Sequence, residues 1–185
     1  QGVVDLDALD RMLYEIDSPQ MVAIMLANNE TGVLQPIREA TKIAHSHGAL
    51  LHCDAVQAVG KIPVDFDSLG MDTMALTAHK FGGPQGIGAL VTRDSDTVDC
   101  MIQGGGQERG LRGGTESVAQ IAALGVASHI AGERMETYTQ LSRLRDMMEN
   151  RLKEVAGGLI VFGIDADRLP NTSKIMMPGV SSETQ

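Results

Sequence analysis

The strongest constraint on this chain is a change of hydrophobic period that repeats along it. Short continuous apolar runs, "MVAIMLA" (21–27), "ALLHCD" (49–54) and "DTMALTA" (72–78), alternate with stretches whose apolar residues recur at helical spacing. A short run without a polar side suits a strand buried on both faces. Strands alternating with helices make βαβ units, so the expected fold is α/β, a mainly parallel sheet with flanking helices.

The local signals agree. Leu6, Leu9, Leu13 and Ile16 share one helix face, with Asp5 as N-cap and Pro19 as the stop. "NNETGVLQ" is a loop, and Pro36 takes the first position of a helix running to about His47, where Gly48 ends it. "AVQAVGK" is another loop, and "GIGALVT" (86–92) a fourth strand. Thr115 is placed to cap a long helical region reaching roughly Ala156, with Gly125 and Gly132 as possible interruptions. Gly157-Gly158 marks a break, and "LIVFG" and "SKIMM" are expected as strands of a second unit, dividing the chain at 1–156 and 157–185.

Composition removes several function classes. Aromatic residues are 3% with no Trp, which leaves no platform for stacking bases or sugars. A formal charge of −9 is wrong for a general nucleic-acid binder, whose phosphate contacts need clustered Lys and Arg. No apolar run approaches the ~18 residues of a membrane span. Two cysteines cannot build a disulfide framework, which favours a reducing, cytoplasmic setting. The first residue is Gln1 rather than Met and the last follows directly on a strand-like run, so the chain is expected to be a piece of a longer protein.

In open α/β sheets, ligands collect beyond the carboxyl ends of the strands. Those ends carry Asn28-Asn29, Asp54, and Thr77 through Lys80. Strand alternation puts His52 and Asp54 on one face and Cys53 on the other, which favours Cys53 as a core residue over a nucleophile. Asp54 alone reads equally as a turn residue, and Gln57 as exposed loop. Lys80 is either a solvated loop lysine or an amine delivered to a ligand between an apolar strand and the glycines at 82, 83, 86 and 88. A desolvated amine loses proton affinity and attacks carbonyls. "GPQGIG" matches neither a Walker loop nor the GxGxxG fingerprint. A metal site is disfavoured because His45 and His47 do not share a helix face and His52 and Cys53 point apart. "GGGQERGLRGGT" offers Arg109, Arg112 and a hydroxyl before a helix, an arrangement that suits a phosphate. Glu108 pairing with either arginine is the structural alternative.

Taken in order, "ANNETGVLQPI", "LHCDAVQAVGKIPVD", "TAHKFGGPQGIGALVTR" and "GGGQERGLRGGT" resemble the cysteine desulfurases, NifS/IscS-like members of the class V aminotransferase family with the type I fold of pyridoxal-phosphate enzymes. The resemblance implies a large cofactor domain over 1–156 and the start of a small C-terminal α+β domain after it. It implies that Lys80 bonds the cofactor's aldehyde carbon and moves the substrate's α-proton, and that Asp54 pairs with the ring nitrogen. Gln57 would bond the ring's phenolic oxygen, with Asn29 beside it and near the substrate carboxylate. Thr77 and His79 would hold the phosphate. Thr115 would reach the cofactor of a partner subunit in a homodimer, with Arg109 and Arg112 near that interface. The implied reaction turns L-cysteine into L-alanine and passes sulfur, as a persulfide, to an acceptor or scaffold protein for iron–sulfur assembly or thiolation. The nucleophilic cysteine and a substrate-binding arginine would lie beyond Gln185, so the chain alone would be inactive. A selenocysteine lyase or aminotransferase on the same scaffold, or a noncatalytic assembly subunit, are the alternatives.

Overall fold

The computed structural model of the protein describes residues 2–100, 102–181 and 183–184. Its centre is a four-stranded sheet in the order β1 (Met21–Met25), β2 (Leu50–Asp54), β3 (Thr73–Thr77), β4 (Gly88–Thr92). The first three strands are parallel and β4 returns antiparallel to β3. The sheet is therefore mixed and mostly parallel.

Helices α1 (Leu6–Glu15), α2 (Ile37–Ser46) and α3 (Phe66–Leu69) precede and connect these strands. Asp5 caps α1 by accepting the Ala8 N–H at 2.9 Å, as its position in the sequence suggested. Pro36 stands at the N-cap of α2, one position earlier than expected. Ile37, Ala40, Thr41 and Ala44 make that helix's buried stripe, at the i, i+3, i+4, i+7 spacing of one face. Asp72 ties α2 to the sheet, since one carboxylate oxygen takes both His45 Nε2 (2.8 Å) and the Leu51 N–H (2.7 Å). His47 is bound to Asp10 of α1 at 2.7 Å, so the two histidines serve separate packing contacts. The short α3 carried no periodic signal; Asp65 caps it and Gly70, at φ 77°, ends it.

The strands expected to be buried on both faces are not. Val22, Leu51, Cys53 and Met74 are buried on the helix-covered side, while Met21 (50% exposed) and Met25 (41%) of β1 and Leu90 (49%) of β4 face outward. The register explains the pattern. Met25, Asp54, Ala75 and Leu90 are successive partners across the sheet, so they form one row on one face. Among the described residues no layer covers that row.

The long helix expected from Thr115 is three helices: α4 (Val118–Glu133), α5 (Met135–Thr139) and α6 (Leu141–Val155). The N-cap position is Ser117, not Thr115, and no side chain caps it. Gly125 and Gly132 lie inside α4; the breaks fall at Arg134 and Gln140. Beyond α6, β5 (Ile160–Val161) and β6 (Ile175–Met176) form an antiparallel pair. The intervening segment folds back on the loop after β1: the Leu34 N–H donates to Asp167 O and the Leu169 N–H to Gly32 O, both at 2.8 Å. Two side chains of α6 grip that segment. Glu149 takes Arg168 in a two-pronged pair (2.7 and 3.0 Å), each side chain 4% exposed, and Arg145 Nη1 donates to Leu169 O at 2.7 Å.

Candidate active site

β2 ends in Asp54 and β3 in Thr77, neighbouring strands running in the same direction. Asp54 is level with Ala75, and Thr77 lies two residues further along the same face, so both side chains project from one side of one sheet end. The chain then tightens into a 3₁₀ turn, Ala78–Lys80, which carries His79 and Lys80 past the strand end. Ala78 is fully buried and anchors the turn. Thr77 Oγ1 lies 3.0 Å from His79 Nδ1 and 3.1 Å from Ile87 O, which binds strand end, turn and glycine loop together. Gly83 belongs there for space: a Cβ on it would stand 2.6 Å from that of Ala78.

The turn after β2 packs on the same place. Asp54 Oδ1 accepts the Val56 N–H at 2.9 Å, which shapes the turn and leaves the carboxylate exposed. Gly60, at φ +78°, sits where a Cβ would come within 2.5 Å of Phe81 Cβ, the residue after Lys80. This close approach brings residues 55–62 against the lysine turn. Lys61 Nζ donates to Gln57 Oε1 at 3.0 Å and is buried, with 7% exposure. Burial lowers the proton affinity of Lys61, and the charge of Lys80 lowers it further. The desolvated lysine of this region is thus Lys61. Lys80, which the sequence left open between a solvated loop lysine and an amine delivered to a ligand, is exposed together with His79, because the outward sheet face is bare among the described residues.

The other expected residues divide into two groups. Asn29 is exposed at the tip of the loop after β1, which Asn28 builds by accepting from the Glu30 and Thr31 N–H groups at 3.0 and 2.9 Å. Thr115, Arg109 and Arg112 belong to the long loop before α4, and all are exposed. Arg112 Nη1 donates to the adjacent Gly113 O at 3.0 Å, its one hydrogen bond among the described residues. Glu108 forms no ion pair with either arginine among the described residues; instead Glu108 and Arg109 both take positive φ (48° and 59°), a costly backbone for two consecutive non-glycine residues. Cys53 is fully buried, and burial followed by the neighbouring Asp54 charge pushes its thiol up to about 12, which makes it a core residue. Cys100 Sγ donates to Ile102 O at 3.2 Å. Clefts of about 380 and 270 Å³ lie elsewhere, between α6 and Pro170–Ser173 and around Ile160–Asp165. They are shaped by the C-terminal segment and contain none of the strand-end residues. Sequence reading missed Lys61, although its i, i+4 spacing from Gln57 was an available signal.

An amine, a carboxylate and a hydroxyl–imidazole pair are thus set around one sheet end of an α/β fold. The chain belongs to the aminotransferase class V family, whose model matches residues 1–184. A "Cysteine desulfurase" of Sinorhizobium fredii is 41% identical over 185 residues, 99% of this chain and 47% of that relative. The crystal structure of a NifS-like protein from Rickettsia africae superposes with a TM-score of 0.91 at 38% identity, covering 98% of this chain and 51% of that one. A structure described as SspA in complex with cysteine matches with a TM-score of 0.63 at 37% identity, over 69% of this chain and 37% of the other. The chain spans about half the length of the curated relatives it matches. No described helix is long and apolar enough to cross a membrane.

Proposed function

We propose that this chain is the Lys80-bearing part of a pyridoxal-phosphate-dependent cysteine desulfurase, with residues 1–156 as its cofactor domain and 157–185 as the start of a small C-terminal domain. The observation that carries the reading is the register that sets Asp54 and Thr77 on one face of neighbouring strand ends, with Lys80 on the turn that follows. The residues fit the cofactor group by group. Lys80 supplies an amine for an aldehyde carbon, and Asp54 an exposed carboxylate for a protonated ring nitrogen. Thr77 and His79 supply donors for a phosphate, and Gln57 an amide for a ring oxygen. When bound, the cofactor's ring supplies a sink for the electron pair left at the substrate Cα. Asp54 keeps the ring nitrogen protonated, Lys80 Nζ carries the α-proton, and Asn29 orients the substrate carboxylate from the loop beyond β1.

Sulfur transfer needs a thiolate that can reach solvent; Cys53, buried and with its thiol pushed up to about 12, does not qualify, and Cys100 is half-buried ahead of the glycine-rich loop with its Sγ donating to Ile102 O. We assign the nucleophile to a segment of the full-length protein outside this chain, so the chain by itself is inactive. The homodimer is supported by α4, which is mostly apolar without a distinct polar face yet leaves Val118 (75%) and Val126 (61%) exposed. Thr115 lies directly before that helix, placed to contact the cofactor of a second copy, with Arg109 and Arg112 beside it. The partner in sulfur transfer is an acceptor or scaffold protein of the cytoplasm.

The test is turnover by the full-length protein supplied with pyridoxal phosphate and L-cysteine. L-alanine and protein-bound sulfane sulfur are expected in equal amounts, and Lys80→Ala abolishes both. Turnover of L-selenocysteine alone, or an amino group passed to a keto acid, would assign a different class V reaction to the same site.

A further inference from the structure

Gln57 and Lys61 are separated by one turn, and the bond between them runs from Lys61 Nζ to Gln57 Oε1 at 3.0 Å. A lysine ammonium has three donors and no acceptor, so the oxygen of the Gln57 carboxamide must be the atom that faces it. This settles an orientation that the shape of an amide leaves ambiguous. The Gln57 NH₂ has no protein acceptor among the described residues, and the side chain is half-buried beside the Lys80 turn. Lys61 meets no carboxylate within ion-pair distance among the described residues. A buried cation without a counter-charge is costly and calls for a reason.

We propose that Lys61 is a positioning residue of this site: by holding Gln57 Oε1 it turns the Gln57 NH₂ outward, so that residue 57 presents only donors to a ring oxygen of the bound cofactor. A free glutamine offers either an acceptor or a donor. Held by Lys61, it favours the ionised form of that oxygen over the protonated form. The charged group whose field reaches this pair is Lys80, on the turn that Gly60 lets pack against Phe81. Lys61 feels the charge of Lys80, which supports their proximity. The inference rests on the reading of Lys80 as the cofactor lysine.

The test uses the full-length protein loaded with pyridoxal phosphate and reads the pH midpoint of the cofactor's visible absorbance. A donor to the ionised oxygen lowers that midpoint, so losing the enforced donor raises it. Lys61→Met is expected to raise the midpoint by about one pH unit, tenfold in the proton equilibrium. Lys61→Arg, which keeps a donor-only cation, restores it. Lys61→Gln serves if the Met variant fails to fold; a carboxamide at 61 donates or accepts, no longer fixes its neighbour, and so also raises the midpoint. In a Gln57→Leu background, Lys61→Met adds no more than a small fraction of its effect. An unchanged midpoint in both Lys61→Met and Lys61→Gln, or a full additional shift without Gln57, overturns the proposal. Borohydride reduction of the wild type separates the two layers. Without a trapped adduct on Lys80 both readings fall, whereas an adduct on Lys80 with unmoved midpoints removes only this one.

Discussion

Arg168→Met should be among the most damaging substitutions outside the site. The Arg168–Glu149 pair is two-pronged at 2.7 and 3.0 Å with both side chains 4% exposed. Removing the guanidinium leaves a carboxylate buried without its counter-charge, a loss of about 3–5 kcal/mol. Replacing both partners, as Glu149→Met with Arg168→Met, removes the uncompensated charge as well and should recover most of that loss. The pH dependence follows from the same geometry. Burial works against the Glu149 charge, but the hydrogen bonds of Arg168 and Ser173 and the charges of Arg168 and Arg145 together outweigh it and hold the carboxyl below its ordinary 4.5. A lowered native value means that the stabilisation is complete above about 4.5 and is lost as pH falls through the native value. The double variant lacks this component. Urea unfolding of the full-length protein at pH 7 and at pH 4 measures all four species. The substitution also loosens residues 167–169, whose backbone bonds to Gly32 and Leu34 close the loop carrying Asn29, so the Leu34 and Leu169 amides should exchange faster. A single variant within about 1 kcal/mol of wild type, or a double variant as unstable as the sum of the singles, would refute the reasoning.

Three further outcomes are expected. Gly60→Ala combines a positive φ with a Cβ 2.5 Å from Phe81, so about 1–3 kcal/mol of strain is expected, with the Lys80 turn displaced and cofactor retention weakened in dialysis. Cys53 should resist iodoacetamide at pH 8 until the protein unfolds, because the thiol is fully buried and pushed up to about 12; mass mapping showing prompt native labelling there would contradict its core role. Asp72→Ala removes the acceptor shared by His45 and the Leu51 N–H and leaves that buried strand amide without its side-chain partner, a loss of about 1–3 kcal/mol read by urea unfolding.

Much of the arrangement was legible before any coordinates. The apolar runs located all four strands of the main sheet, and Asp5 and Gly48 marked helix ends. Strand alternation separated Asp54 from Cys53. What failed has physical causes. A continuous apolar run does not reveal which face is covered, so the outward exposure of Met21 and Met25 could not be seen in the run 21–27. Helix α3 is a single turn, too short for a period to show. The breaks at Arg134 and Gln140 are themselves neither Gly nor Pro, whereas the glycines at 125 and 132 lie within a mostly apolar helix. Lys61 escaped because burial of a lysine depends on what packs over it, here the turn that Gly60 allows against Phe81. Glu149 and Arg168 meet through a fold-back that no local spacing encodes.

The most direct measurement for the central claim is borohydride reduction of the full-length protein with pyridoxal phosphate bound, followed by peptide mapping. The account predicts one reduced pyridoxyl group, carried on Lys80 and absent from Lys80→Ala. A label on another lysine, Lys61 included, or no label at all would contradict it.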